Sequence, residues 1–199
     1  VQLSSYFAEF PLILASGSPR RKDLLAAAEI PFNVLVSDAV ESYPDQLAVE
    51  RVPEFIATNK ALATADRADT ESVILAADTV VVIDNKIIGK PEDAADAVRM
   101  LHLLSGRTHH VYTGVVILQG DRIHGFTEIT EVEFYPLSSE AIGHYVNKFS
   151  PLDKAGAYGI QEWIGYIGVK KITGDYYNVM GLPISRVVRE LQDFLQGRI

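Results

Sequence analysis

The residue with the clearest chemical consequence is Asp78. It stands with Thr79 in Val73-Ile74-Leu75-Ala76-Ala77-Asp78-Thr79-Val80-Val81-Val82-Ile83, an otherwise apolar run that reads as a strand covered on both faces. A lone carboxylate in such a strand loses its hydration, so it needs a partner, a metal or a wet cleft. It is either satisfied by backbone N–H groups or a structural arginine, or it faces a reaction site; the second reading is favoured.

Three further segments offer charge or close backbone approach. Ser16-Gly17-Ser18-Pro19-Arg20-Arg21 joins an apolar strand to a helix start, where free N–H groups and the helix dipole attract an anion. Two arginines in that first turn are poorly placed unless something negative joins them; an ordinary capped helix with solvated arginines is the plainer alternative. Lys90, in Gly89-Lys90-Pro91, is read as directly preceding a helix, which disfavours a cation by ~0.3–1 kcal/mol and which a phosphate would reverse, although the tripeptide read alone favours a solvated turn lysine. In Asp153-Lys154-Ala155-Gly156-Ala157-Tyr158-Gly159-Ile160-Gln161, glycines flank a tyrosine, and Gln161 offers both a donor and an acceptor to a base edge.

Alternating elements must carry these residues. Leu12 to Ala15 reads as a buried strand, with Pro19 opening a helix capped by Ser18. Phe32 to Val36 reads as a strand, 37–52 as an acidic loop, and 53–67 as a helix. After the strand at 73–83, Asp84-Asn85-Lys86 turns into Ile87 and Ile88, and a helix opens at Pro91 and stops at Gly106. Strands 109–119 and 122–135 flank Gly120-Asp121; Ile142, Tyr145, Val146 and Phe149 mark a helix. Residues 150–180, rich in Gly and Tyr, read mostly as loop and short strand, and Gly181-Leu182-Pro183 as a turn into the last helix. The pattern predicts an α/β fold with a mixed sheet flanked by helices.

Composition excludes several classes. The chain has 199 residues, no cysteine, and 26 acidic against 18 basic residues for a net charge of −8. Thiolate metal sites, disulfides and cysteine nucleophiles are ruled out, and a general nucleic-acid-binding surface is disfavoured. The five histidines show no ligand spacing, and no Gly-x-Ser-x-Gly elbow appears. No signal-peptide pattern is visible, and no apolar run nears the roughly 18 residues of a membrane span, so a cytoplasmic protein is expected.

In their order, Ser16 to Arg21, Ala76-Ala77-Asp78-Thr79-Val80-Val81, Gly89-Lys90-Pro91, Leu104-Ser105-Gly106, Asp153 to Gln161 and Gly181-Leu182-Pro183 resemble the Maf (septum-formation inhibitor) family of nucleotide pyrophosphatases. The resemblance runs from about Leu12 to Phe194. It implies one Maf/ITPase-like domain over 1–199, with two lobes around a cleft, a family-unlike extension at 1–10, and a homodimer. It also implies hydrolysis of a nucleoside triphosphate to the monophosphate and diphosphate with a divalent metal, Mg²⁺ or Mn²⁺.

Position by position, Asp78 matches the family's proton acceptor. Ser16, Arg21, Lys60 and Lys90 match its phosphate-binding residues, and Glu41 an acidic residue suited to metal binding, with Asp78 as a second ligand. Arg20, Thr79 and Gln161 match the branch acting on dTTP and UTP rather than the one acting on 7-methyl-GTP. Modified pyrimidine nucleotides fit the same pattern. The alternative implied by the family's history is a non-catalytic nucleotide-binding regulator of septum formation and cell division.

Overall fold

The computed structural model describes Phe7 and residues 10–199. The extension expected at 1–10 thus lies, Phe7 and Phe10 aside, outside the described residues. Seven strands form one sheet: β1 (Leu12–Leu14), β2 (Asn33–Val34), β3 (Val73–Ile83), β4 (Lys86–Ile88), β5 (Thr108–Gln119), β6 (Arg122–Phe134) and β7 (Val169–Thr173). Their order is β2-β1-β3-β5-β6-β7, with β4 beside β3. β1 pairs in parallel with β2 and β3, whereas β4 on β3 and β7 on β6 are antiparallel, so the sheet is mixed as the sequence predicts.

The helices are α1 (Pro19–Ala27), α2 (Val52–Ala65), α3 (Ala94–Leu104), α4 (Ser139–Phe149), α5 (Trp163–Gly168), α6 (Tyr176–Met180) and α7 (Ile184–Leu195). No helix of the described residues is long and apolar enough to cross a membrane.

The chain divides into two compact units. The first holds the chain up to Asp78, Thr113–Glu128 and Gly181–Ile199; the second holds Thr79–Tyr112 and Ile129–Met180. Each has its own apolar core. In the first, Ile13, Ala15, Ile74, Ala76, Val116 and Leu118 meet Ala57 and Ala61 of α2. In the second, Val81, Ile83, Leu101, Leu104, Phe134, Tyr145 and Ile160 belong to one buried cluster. Helix α2 lies directly on β5 because Gly114 has no side chain: a Cβ there would stand 2.1 Å from the Glu54 backbone N.

Three local expectations are corrected. β2 covers only Asn33–Val34, and both residues are exposed at the sheet's edge. α3 starts at Ala94 rather than Pro91, because the Asp93 side chain accepts from the Asp96 N–H at 2.8 Å and caps the helix there. Lys90 is therefore separated from the helix start, which removes the dipole argument built on it. α4, by contrast, agrees with the sequence reading: it runs Ser139–Phe149, is capped by Ser138, and buries Ile142, Tyr145 and Val146. Residues 150–180 contain α5 and α6, not only loop and strand, and Gly165 and Gly168 within α5 had masked its helical signal.

Candidate active site

Helix α2 explains how a lysine enters the first unit's interior. Its buried face runs through Val52, Pro53, Ile56, Ala57, Lys60, Ala61 and Thr64, so Lys60 occupies a core-facing position at helical spacing. Its buried ammonium needs an anion to offset its lost hydration. It finds two. Nζ lies 2.7 Å from Asp78 Oδ1 and 2.6 Å from Glu41 Oε1, with side-chain exposures of 10%, 13% and 49% for Lys60, Asp78 and Glu41.

β3 sets Asp78 in place. Nine of its eleven residues are buried, and the two that are partly accessible are adjacent, Asp78 and Thr79. Adjacent strand residues point to opposite faces, so simple alternation does not account for this accessible break.

The register of β1 on β3 brings the second set of residues. Leu14 pairs with Leu75, and the Ala15 N–H donates to Leu75 O at 2.9 Å, so the chain leaves the sheet at Ser16 beside the stretch leading to Asp78. Ser16 Oγ then accepts from the Ser18 N–H at 3.2 Å and from Arg21 Nη1 at 3.0 Å. Arg21 Nε donates to Gly181 O at 2.8 Å, which gives the Gly181-Leu182-Pro183 turn a task beyond starting α7. Arg21 is buried. Burial pushes its guanidinium below the usual value, Asp78 pulls it back up, Arg20 lowers it and Glu41 raises it. Those influences place Arg20, Arg21, Asp78 and Glu41 within one electrostatic neighbourhood.

The structure thus brings together Ser16, Arg20, Arg21, Glu41, Lys60 and Asp78. Thr79, Lys90 and Gln161 belong to the second unit. Lys90 is exposed in the segment between β4 and α3, next to Gly89, whose carbonyl accepts from the Gly156 N–H at 3.0 Å. Gln161 is partly accessible, yet its Oε1 is buried and has no hydrogen-bond partner among the described residues. Among those residues, no three His, Asp or Glu side chains gather as a metal-ligand group.

The backbone on either side of Gln161 is tied to side chains whose roles were not read from the sequence. Tyr145 Oη donates a short hydrogen bond to Glu162 Oε2 and accepts from the Gly159 N–H at 3.0 Å. Glu162 Oε1 stands 3.2 Å from Lys154 Nζ, itself 2.7 Å from Asp153 Oδ1. Spacing marked Tyr145 only as a core residue of α4; its hydroxyl's role depends on a loop distant in sequence.

Fold and cluster together define a class: a mixed-sheet α/β protein with buried cations gathered on one accessible strand carboxylate. The chain belongs to the Maf-like protein family, whose model matches residues 11–194. A dTTP/UTP pyrophosphatase from Bacteroides thetaiotaomicron is 47% identical over 185 residues, covering 92% of this chain and 96% of that one. A dTTP/UTP pyrophosphatase from Bacillus cytotoxicus is 50% identical over 185 residues, covering 93% and 96%. The solved structure of the Staphylococcus aureus Ham1 protein superposes with a TM-score of 0.51 at 18% identity, covering 95% of this chain and 100% of that one, a likeness of fold.

Proposed function

We propose that this chain hydrolyses dTTP and UTP to the nucleoside monophosphate and diphosphate, with Asp78 as the proton acceptor. One observation carries the catalytic assignment: β3 is buried along its length except at Asp78 and Thr79, and that carboxylate is paired to a buried lysine. The strong likeness to dTTP/UTP pyrophosphatases over nearly the whole chain supports the substrate class.

In this mechanism the Asp78 carboxylate takes a proton from water attacking the α-phosphorus, which raises the nucleophilicity of the oxygen as its bond to phosphorus forms and the bond to the bridging oxygen breaks, with pyrophosphate leaving. Lys60 holds that carboxylate at 2.7 Å and offsets negative charge beside it. Arg21, anchored through Nε on Gly181 O and through Nη1 on Ser16 Oγ, presents its charge to phosphate oxygens from a fixed position. Lys90 adds a further phosphate contact, and Ser16 keeps the turn before α1 in shape. Arg20, Thr79 and Gln161 select the base. The unpartnered acceptor at Gln161 suits the N3–H donor of thymine or uracil.

A divalent metal fits the donor set. Magnesium commonly takes one or two carboxylates, with phosphate oxygens and water completing its shell, and Asp78 and Glu41 supply that number on one ammonium. Those two residues would hold Mg²⁺ or Mn²⁺, which when bound polarises phosphate oxygens as a Lewis acid. The same reading expects a cytoplasmic homodimer.

Pyrophosphate release from dTTP, UTP and a panel of modified pyrimidine and purine nucleotides tests the proposal. Asp78→Asn should fold and lose turnover by at least ~10²-fold. Near-normal dTTP hydrolysis by that variant would remove Asp78 from the mechanism. Tight dTTP binding by the wild type without pyrophosphate release would instead favour the nucleotide-binding regulator.

A further inference from the structure

The carboxamide of Gln161 presents a physical problem. Leaving a buried acceptor without a hydrogen bond is costly, and a glutamine with three side-chain torsions ordinarily turns to water to avoid that cost. Its persistence requires surroundings that allow little else. Here the residues on either side of Gln161 are held by their neighbours. Ile160 is buried in the second unit's core, and its carbonyl lies under α5, where a Cβ on Gly165 would come within 1.9 Å of it. Gly159 gives its N–H to Tyr145 Oη at 3.0 Å and its carbonyl to the Glu162 N–H at 3.0 Å. Glu162 receives the Tyr145 hydroxyl on one carboxylate oxygen and lies 3.2 Å from Lys154 Nζ through the other. A Cβ on Gly159 would stand 2.8 Å from Glu162 Cδ, so the loop and this carboxylate are in close contact.

The network is closed around a single loop. Tyr145 contributes from α4, Lys154 from the segment before the 3-10 turn at Ala155–Ala157, and Glu162 from the start of α5. Gln161 lies between its two points of attachment, Gly159 and Glu162. We propose that Tyr145, Glu162 and Lys154 are positioning residues that fix the Gln161 carboxamide for base selection, a role that rests on the reading of Gln161 given above. They touch no substrate. Their contribution is to prevent the carboxamide from relaxing, so that the acceptor meets a thymine or uracil N3–H at little reorganisation cost and meets the adenine N1 acceptor unfavourably.

Tyr145→Phe removes one hydroxyl, and Glu162→Gln removes one charge while keeping an acceptor. Both are compared with Gln161→Ala in kcat and KM for dTTP, UTP and dATP, with melting curves for each variant. Each positioning variant is expected to lose about tenfold in selectivity for dTTP over dATP, through a raised pyrimidine KM, with kcat held within about twofold. A merely structural contribution would lower dTTP and dATP hydrolysis together, and that result overturns the proposal. Unchanged selectivity in Glu162→Gln, when Gln161→Ala has lost it, also overturns the proposal while leaving base selection by Gln161 intact. If Gln161→Ala keeps wild-type selectivity, the reading of Gln161 fails and the positioning role fails with it. Should Tyr145→Phe not fold, Glu162→Gln decides the matter.

Discussion

Each unit buries one lysine between two carboxylates, and the two lysines have opposite surroundings. Lys60 meets Asp78 and Glu41 at 2.7 and 2.6 Å, while Lys154 meets Asp153 and Glu162 at 2.7 and 3.2 Å. Both lysine side chains are 10% exposed. The difference lies in what else touches the anions. Glu162 is further engaged by the Tyr145 hydroxyl, which itself accepts from a backbone N–H, so that network closes on protein groups. Around Lys60, a second buried cation, Arg21, acts on Asp78 and Glu41 through space while anchored elsewhere, on Ser16 and Gly181. Excess positive charge around a partly accessible carboxylate suits an incoming polyanion; a closed network suits holding a loop.

The comparison predicts opposite phenotypes for the same substitution. Lys60→Met should lose about 10³-fold in kcat/KM for dTTP, the scale of removing a strong charge-stabilising donor, with a smaller change in melting temperature. Lys154→Met should lose about 3 kcal/mol of stability, as expected when one partner leaves a buried pair, while kcat on dTTP falls far less than in Lys60→Met. Steady-state kinetics and urea unfolding on both variants check this. A stability loss from Lys60→Met equal to that from Lys154→Met, with similar kinetics, would erase the distinction.

A second contrast concerns pH. The second unit buries His109 between Phe134 and Tyr158, at ring-centroid distances of 5.2 and 5.4 Å, with Nε2 on the Tyr158 hydroxyl at 2.8 Å. Its Nδ1 is buried without a partner among the described residues. Burial, with a minor contribution from His110, lowers its pKa from 6.5 to about 3. Above pH 6.5 the ring is neutral whether the chain is folded or not. As pH falls from 6.5 toward 3, the unfolded chain takes up a proton that the folded chain refuses, so stability decreases. The expected loss is about 2 kcal/mol by about pH 5, read from unfolding curves across that range. Replacing both rings, His109→Phe with Tyr158→Phe, should flatten this part of the profile; an unchanged slope would assign the acid sensitivity elsewhere.

These cases show what the linear sequence can reveal. Asp78 was legible because an ionised side chain in a long β-branched run violates burial, and the violation is local. The strand was legible for the same reason, and the mixed sheet from the interleaving of helices with apolar strands and hairpins. The contact of Lys60 with Asp78 was not legible from spacing, since its helical position is that of a core residue and only tertiary packing brings β3 to it; the family resemblance supplied Lys60 only as a phosphate-binding residue. Tyr145 and Glu162 were missed because nothing in α4 distinguishes a tyrosine that fills space from one whose hydroxyl ties down a remote loop. The helix start beside Lys90 was misplaced: Pro91 looks like a first helical residue, but Asp93 offers the stronger cap, and the helix waits for it.

The same boundary chemistry gives the smallest expected effects. Helices α3 and α4 in the second unit carry side-chain caps, from Asp93 to the Asp96 N–H and from Ser138 to the Ala141 N–H. Ser18 occupies the equivalent position before α1 in the first unit and makes no such bond; the serine at work there is Ser16. Ser138→Ala should therefore cost about 1 kcal/mol, the usual value of a lost cap, and Ser18→Ala only a few tenths. Ser16→Ala should combine a loss of about 1 kcal/mol with a raised KM for dTTP, because Arg21 loses the hydroxyl that holds Nη1. Melting curves and KM for the three variants test this. If Ser18→Ala were as costly as Ser138→Ala, α1 would be an ordinary capped helix, and its N–H groups would be less free to receive phosphate.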